Sequence, residues 1–285
     1  MERSPRGVAV SLAVLLAGSL LSLSAFAAEP KTFSYSVQAN STVSVSTQFG
    51  TITVKPASDR RVTIVATPHS DKVEVDAGQS GNRVEARSHI LKPGNADDNA
   101  VDYDVAVPAD ANLTLHAGGG RIHVQGLTGD VTLQTETGAV DANGLSGAHL
   151  HVSTVSGAIS LSGIARGLVE ATSVGGNVTL TSVSGPKILV STGSGSIRYD
   201  GDPGQGGDYE LVNHSGDIEV ALPAGASVDL TARTVTGSLQ NDFPLQPKMH
   251  TSFAPDVHSY AGTAASGSCM IRLSSFSGKI RVRKK

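Results

Sequence analysis

The chain has 285 residues, of which only 16% are charged, and its 22 Lys and Arg against 25 Asp and Glu leave a formal net charge of −3. That balance supplies no basic field for nucleic acid or an anionic membrane surface. A single cysteine, Cys269, excludes an internal disulfide, and the 32 glycines suit a chain with many sharp corners.

Residues 1–27 read as a signal peptide. Arg3 and Arg6 precede an apolar run over 8–23, and Ala25-Phe26-Ala27 supplies small residues at a cleavage spacing. The run is shorter than the ~20 residues of a spanning helix, and no cysteine follows it for lipid attachment. The expectation is an exported chain, periplasmic, envelope-associated or extracellular, with no transmembrane segment in its mature part.

Residues 28–110 read as a less regular β region. Val43, Val45, Ile52 and Val54 alternate around Gly50, and further alternating stretches cover 61–66, 72–76, 83–89 and 101–107. Asp97, Asp98, Asp102 and Asp104 offer oxygen ligands to calcium, against which stands a solvated acidic loop, the better reading.

Residues 111–285 carry a repeat. A glycine followed one residue later by Ile, Val or Leu recurs at Gly120, Gly138, Gly157, Gly176, Gly195, Gly216 and Gly237, in steps of 18, 19, 19, 19, 21 and 21 residues, with outlying copies at Gly50 and Gly278. Relative to each glycine, apolar residues hold offsets −7, −5, +2 and +4, as in Leu150, Val152, Ile159 and Leu161 around Gly157. Each unit is therefore two short strands joined by a glycine corner, and units this short must stack to bury their apolar faces. The expected fold is all-β: a single-stranded parallel β-solenoid, β-helix-like, of about 19–21 residues per coil, with the irregular N-terminal region continuous with it. A Pro-rich loop over 242–267, containing Pro244, Pro247 and Pro255, interrupts the repeat before a final capping coil. The basic run Arg281, Arg283, Lys284 and Lys285 reads as a solvated end blunting an exposed strand edge.

Candidate chemistry is sparse. Cys269 falls in phase with Ile271 and Leu273 and reads as a buried core residue rather than a reactive thiol. No nucleophile elbow, zinc-protease helix, redox Cys pair or phosphate loop occurs in the sequence. Gly204-Gln205-Gly206-Gly207-Asp208 is similar to a calcium-binding nonapeptide but stands alone, so a plain turn is preferred. His116, His123, His149 and His151 fall at outward but differing offsets, which does not make one metal-binding column. Thr and Ser at offsets −3 and −1 form ladders expected to bond up the stack and to corner backbone groups; an ordered-surface binder is the rival reading. No cofactor and no metal is expected.

The run Val107-Pro108-Ala109, then Leu113, Leu115 and Gly120-Arg121-Ile122-His123-Val124-Gln125-Gly126-Leu127-Thr128-Gly129-Asp130, with the repeated Thr/Ser-Gly-x-Ile/Val phrases after it, resembles the bacterial putative-adhesin β-strand-repeat domain of unknown function. The resemblance spans residue 33 to the C-terminus. It implies an exported or envelope-associated β-solenoid, and supplies no catalytic residue.

Two functions compete. The first is a non-catalytic, adhesin-like binding or structural protein of the bacterial envelope, its partner an unidentified protein or polysaccharide of the envelope or cell surface. Its candidate contacts are Met249, His250, Phe253, His258 and Tyr260, because this loop gathers aromatics in a chain with no Trp; a cap over the last coil is the bland reading of the same loop. The second is a polysaccharide-active β-helix enzyme, a lyase or hydrolase, which needs clustered outward carboxylates or Arg and Lys. Outward positions are mostly Thr, Ser, Gln, Asn and His, so the expectation is no enzyme.

Overall fold

The computed structural model describes residues 29–247 and 258–285; the expected signal peptide lies outside them. The first strands are β1 (Lys31–Ser36), β2 (Thr42–Phe49), β3 (Ile52–Ala57), β4 (Arg61–Pro68), β5 (Val73–Ser80), β6 (Arg83–Ile90) and β7 (Val101–Pro108). The repeats follow as β8 (Asn112–Gly119), β9 (Ile122–Gln125), β10 (Val131–Thr135), β11 (Val140–Asn143), β12 (His149–Thr154), β13 (Ile159–Ser162) and β14 (Leu168–Ser173). They continue as β15 (Val178–Thr181), β16 (Lys187–Thr192), β17 (Ile197–Asp200), β18 (Asp208–Asn213), β19 (Ile218–Leu222), β20 (Val228–Thr234) and β21 (Leu239–Asn241). Last come β22 (Gln246–Pro247), β23 (Ser259–Ala264), β24 (Cys269–Ser275) and β25 (Ile280–Lys284). No helix among the described residues is long and apolar enough to cross a membrane.

The strands make two large mixed sheets, which corrects the expected single continuous parallel β-solenoid with regular coils. One sheet has 12 strands in the order β1-β4-β7-β3-β9-β11-β13-β15-β17-β19-β25-β21, the other 13 in the order β22-β23-β20-β24-β18-β16-β14-β12-β10-β8-β2-β6-β5. Neighbours in the middle pair in parallel and in register, as in Val140↔Ile159 and Leu133↔Val152. Regularity fails at both ends. There β4 runs antiparallel to β1 and β7, β5 to β6, and β23 to β20 and β22. The β5–β6 reversal is a two-residue turn, Gly81-Asn82, with Gly81 at φ 60°, a connection too short for a parallel crossover.

A second departure concerns chain order. The strand pair β24–β25 was expected to cap the end; instead β24 lies between β18 and β20, and β25 between β19 and β21. The cover over β20 is β23, with β22 beyond it, and Pro247 thus sits on an outermost strand, where a missing N–H costs no ladder bond. β21 covers β25 only over Ile280–Val282, and three cations of the basic run are paired. Arg283 Nε lies 2.5 Å from Glu219, Arg281 3.4 Å from Asp242, and Lys285 pairs with Asp200. These cations thus reach carboxylates on β19, on β17 and just past β21.

The corners explain the repeated glycine. A Cβ on Gly138 would lie 1.5 Å from the Gly120 carbonyl oxygen, and one on Gly176 1.9 Å from that of Gly157. The same contact recurs from level to level, with Gly278 seated between Gly216 and Gly237. Close backbone approach, not a left-handed turn, is the requirement at these two glycines, since neither has a positive φ. The residue at offset −3 turns its side chain inward and accepts the glycine N–H: Thr154 Oγ1 at 3.0 Å from Gly157 N, Ser173 Oγ at 2.7 Å from Gly176 N, Ser275 Oγ at 2.8 Å from Gly278 N. Thr135, Thr154, Ser173, Thr192, Asn213, Thr234 and Ser275 are all buried, so these polar groups are satisfied inside the corner, as burial demands.

Between the sheets lie the four inward offsets of the repeat, together with a column the alternation did not mark. Leu127, Leu145, Ile164 and Val183 are fully buried at offset +7, beyond the end of each second strand. This column stops where the spacing lengthens, and two tyrosines take over. Tyr199 Oη donates to Val183 O at 2.9 Å, Tyr209 Oη to Pro203 O at 2.7 Å, and the rings meet edge to face at 5.8 Å. Cys269 is fully buried, and burial pushes its thiol up to about 11 and the Tyr209 phenol up to about 12. At the β7 end, burial likewise pushes Tyr103 up to about 12.

Two measurements check this account. Gly176→Ala should destabilise the protein by about 2–3 kcal/mol through overpacking, whereas Gly225→Ala, where a Cβ meets nothing within 4 Å, should leave the urea midpoint nearly unchanged; equal midpoints would refute the corner argument. The raised thiol and phenols bind protons in the folded chain that the unfolded chain releases first, so their stabilisation is complete below pH ~8.5 and declines as pH rises through about 11 and 12. Urea midpoints should therefore fall between pH 8 and pH 11; a constant midpoint contradicts burial of the neutral groups.

Candidate functional site

Seven strands of the second sheet, β10, β12, β14, β16, β18, β24 and β20, reach their corners through three residues: an inward hydroxyl or amide, one residue, then Ser, Thr or Gly before the stacked glycine. With the −3 side chain committed to the glycine N–H and the glycine pressed on its neighbour, the −2 side chain is turned outward. In spatial order the −2 positions are Glu136, Val155, Val174, Gly193, His214, Phe276 and Val235. Four are large and apolar yet exposed: Val155 52%, Val174 62%, Phe276 48% and Val235 52%. Backbone bonds fix the row along its length. Val155 O accepts Gly175 N–H at 2.8 Å, Val174 O accepts Ser194 N–H at 3.1 Å, and Phe276 O accepts Thr236 N–H at 2.9 Å.

The inserted β24 shapes this row. It places Phe276 between His214 and Val235, and the His214 and Phe276 rings stack with centroids 5.0 Å apart and planes at 13°. Gly193, with no side chain, leaves a notch beside His214. A depression of ≈ 420 Å³ opens there, lined by Gly193, Val212, His214, Val235, Phe276 and neighbouring serines. The row thus carries two exposed apolar pairs, Val155 with Val174 and Phe276 with Val235, separated by Gly193 and His214 and rimmed by Ser and Thr, which is the chemistry of a contact surface. Nothing in it provides a nucleophile with a base.

Of the residues singled out from the sequence, Met249, His250 and Phe253 lie outside the described residues. Tyr260 is half-buried on β23, opposite Ala232, and its Oη donates to Leu245 O at 3.3 Å; it packs in the cover over β20 with Leu245 beside the core. His258 is exposed. Its Nδ1 lies 3.1 Å from Gly237 O and its carbonyl accepts Thr234 N–H at 2.9 Å, which sets it beside the corner that carries Val235. The structure thus brings His258 to the end of the row and separates Tyr260 from it.

The other candidates disperse. His123 is on β9 of one sheet, whereas His116, His149 and His151 are on the other; His151 Nδ1 lies 3.2 Å from Glu170. Among the acidic residues, Asp97 and Asp102 flank His69 at 3.2 and 2.9 Å, and Lys72 binds Asp98 at 2.7 Å. Asp102 raises the His69 pKa and Lys72 lowers that of Asp98. Gly204 and Gly206 sit in a turn with φ of 71° and 74°, where Asp202 Oδ1 accepts Gly204 N–H. The apolar row itself was readable at offset −2, the one polar-phase position that repeatedly holds Val or Phe.

The chain was compared with known proteins. Two crystal structures are similar to it: that of a putative cell adhesion protein from Clostridium sporogenes, 13% identical over 90% of this chain and 100% of that one with a TM-score of 0.33, and that of a putative adhesin from Bacteroides fragilis, 15% identical over 90% and 97% with a TM-score of 0.43. No curated protein matches. The family model that matches is described as Toastrack DUF4097, over residues 40–283. It replaces the expected family of exported β-solenoids, because a glycine phrase fixes the corner between two stacked sheets and leaves the ends of the sheets unspecified. The chain belongs to the Toastrack DUF4097 family.

Proposed function

We propose that the chain is an exported, non-catalytic, adhesin-like binding protein of the bacterial envelope whose contact surface is the corner row of the second sheet. The observation that carries this reading is the exposure of two apolar pairs on one line of corners, Val155 with Val174 and Phe276 with Val235, held by backbone bonds and separated by Gly193 and His214. Covering a Val or Phe side chain fully removes about 1.5–3 kcal/mol of unfavourable hydration, so four in line suffice to anchor an apolar face of a partner. The Arg3 and Arg6 leader supports delivery outside the cytoplasm.

Val174→Asn combined with Phe276→Ser should leave the unfolding free energy within about 1 kcal/mol of the parent protein, since exposed substitutions cost little, about 0.5 kcal/mol each. Retention of the mature protein on isolated envelopes should fall at least about tenfold, equivalent to 1.4 kcal/mol. Undiminished retention rules the row out as the contact surface. Turnover of acidic polysaccharides by the purified protein overturns the non-catalytic reading.

A further inference from the structure

At the β5 end of the second sheet, away from the apolar row, the outer face carries a different chemistry. Pairing sets Asp76, Arg87, Ser46 and His116 side by side across β5, β6, β2 and β8. One residue pair further along, Gly78, Glu85, Ser44 and Thr114 form a second line. The small side chains of β2 and Gly78 leave a floor between taller residues. A cleft of ≈ 550 Å³ opens over this floor, and a second of ≈ 310 Å³ adjoins it toward Gln48, His116 and Glu136. The two clefts share Ser46, Arg87 and His89.

In the first cleft the charges pair off with one cation left over, and at the far end of the second Glu136 also has no ion pair among the described residues. Arg83 lies 3.3 Å from Glu85, and His89 3.2 Å from Asp76. Asp76, the cross-strand neighbour of Arg87, is thereby engaged by His89. Among the described residues Arg87 has no side-chain hydrogen bond and no ion pair, and its guanidinium stands where the clefts meet. A guanidinium fork binds carboxylate or phosphate through two parallel hydrogen bonds. Ser44, Ser46, Gln48 and His116 offer donors and acceptors suited to sugar hydroxyls, on both sides of that fork.

We infer that this double cleft is a binding site for an acidic saccharide: a hydroxylated chain whose carboxylate or phosphate docks on Arg87 while flanking units lie over Ser44 and Ser46 and along His116. The site does not depend on the apolar row. A ligand running through both clefts passes over the shared residues, so Arg87 determines affinity for the charged group and the serine floor accommodates its neighbours.

The test uses the mature chain with three fluorescent probes: a tetragalacturonate for carboxylate, a phosphorylated maltotetraose for phosphate, and neutral maltotetraose. At least one acidic probe should bind, at least about tenfold more tightly than maltotetraose. Arg87→Gln should weaken it at least about tenfold, and Arg87→Lys less, because an ammonium keeps the charge without the fork. Binding of one acidic probe alone identifies the group recognised. Equal affinity of Arg87→Gln and the parent, equal binding of the neutral probe, or no acidic binding up to about 1 mM overturns the proposal. The Val174→Asn, Phe276→Ser variant should bind these probes as the parent does, which separates this site from the row.

Discussion

The corner glycines hold every level of this molecule to the next. A backbone that approaches within a carbonyl's reach of where a Cβ would be tolerates no other residue, and the contact fixes the lateral register of both sheets at once. A slip of one residue would turn each inward Val, Leu and Ile to solvent. The −3 hydroxyl completes the constraint by supplying the acceptor that the buried glycine N–H lacks, worth about 1 kcal/mol per level and more if left unmade. From that single arrangement follow the inward columns, the outward columns, and the exposure of the residue trapped between hydroxyl and glycine.

The extent to which this was legible in the sequence depended on locality. Offsets −7, −5, +2 and +4 were readable because alternation reports which way a side chain faces within its own strand, and the buried pairs such as Leu150 and Val152 obey it. The +7 column of Leu127, Leu145, Ile164 and Val183 escaped because it lies past the strand ends, where period two no longer applies. Alternation is also silent about partners. Nothing local in Ile271 or Leu273 states that β24 will sit between β18 and β20, whereas the β5–β6 reversal had a local mark in the two-residue Gly81-Asn82 turn, which alternation alone does not weigh. The candidate site fared similarly: apolar residues at offset −2 were in plain view, but their adjacency of Phe276 to His214 exists only through the inserted pair.

Charge follows the same geometry. Glu219 on β19 faces Arg198 on one side at 3.1 Å and Arg283 on the other, and Arg272 on β24 reaches Asp208 at 2.8 Å. All are partly exposed, and such pairs contribute little to stability individually. Their effect is selective: the inserted strands set Arg272 opposite Glu210 of β18 and Arg281 opposite Glu219 of β19, and opposite charges across a ladder favour that pairing. Against this background of mutual pairing, the guanidinium of Arg87, with no side-chain partner among the described residues and a cleft on either side, is a group available to something outside the chain.

The insertion of β24–β25 also sets the order in which the molecule can close. Strands β20 and β21 precede their interior neighbours along the chain, yet touch the rest of their sheets mainly through them. Until β24 docks, β18 presents an open ladder edge with Tyr209 and Leu211 beneath it, and β20 has no seat. The contacts that finish the fold are therefore among those of long sequence separation, such as Gly237 against Gly278, and long-range pairing of this kind forms slowly. For a chain synthesised from its N-terminus, the late strands act as a keystone: the earlier levels can assemble as they emerge, while the far end stays adhesive and unsealed until the segment that completes it arrives.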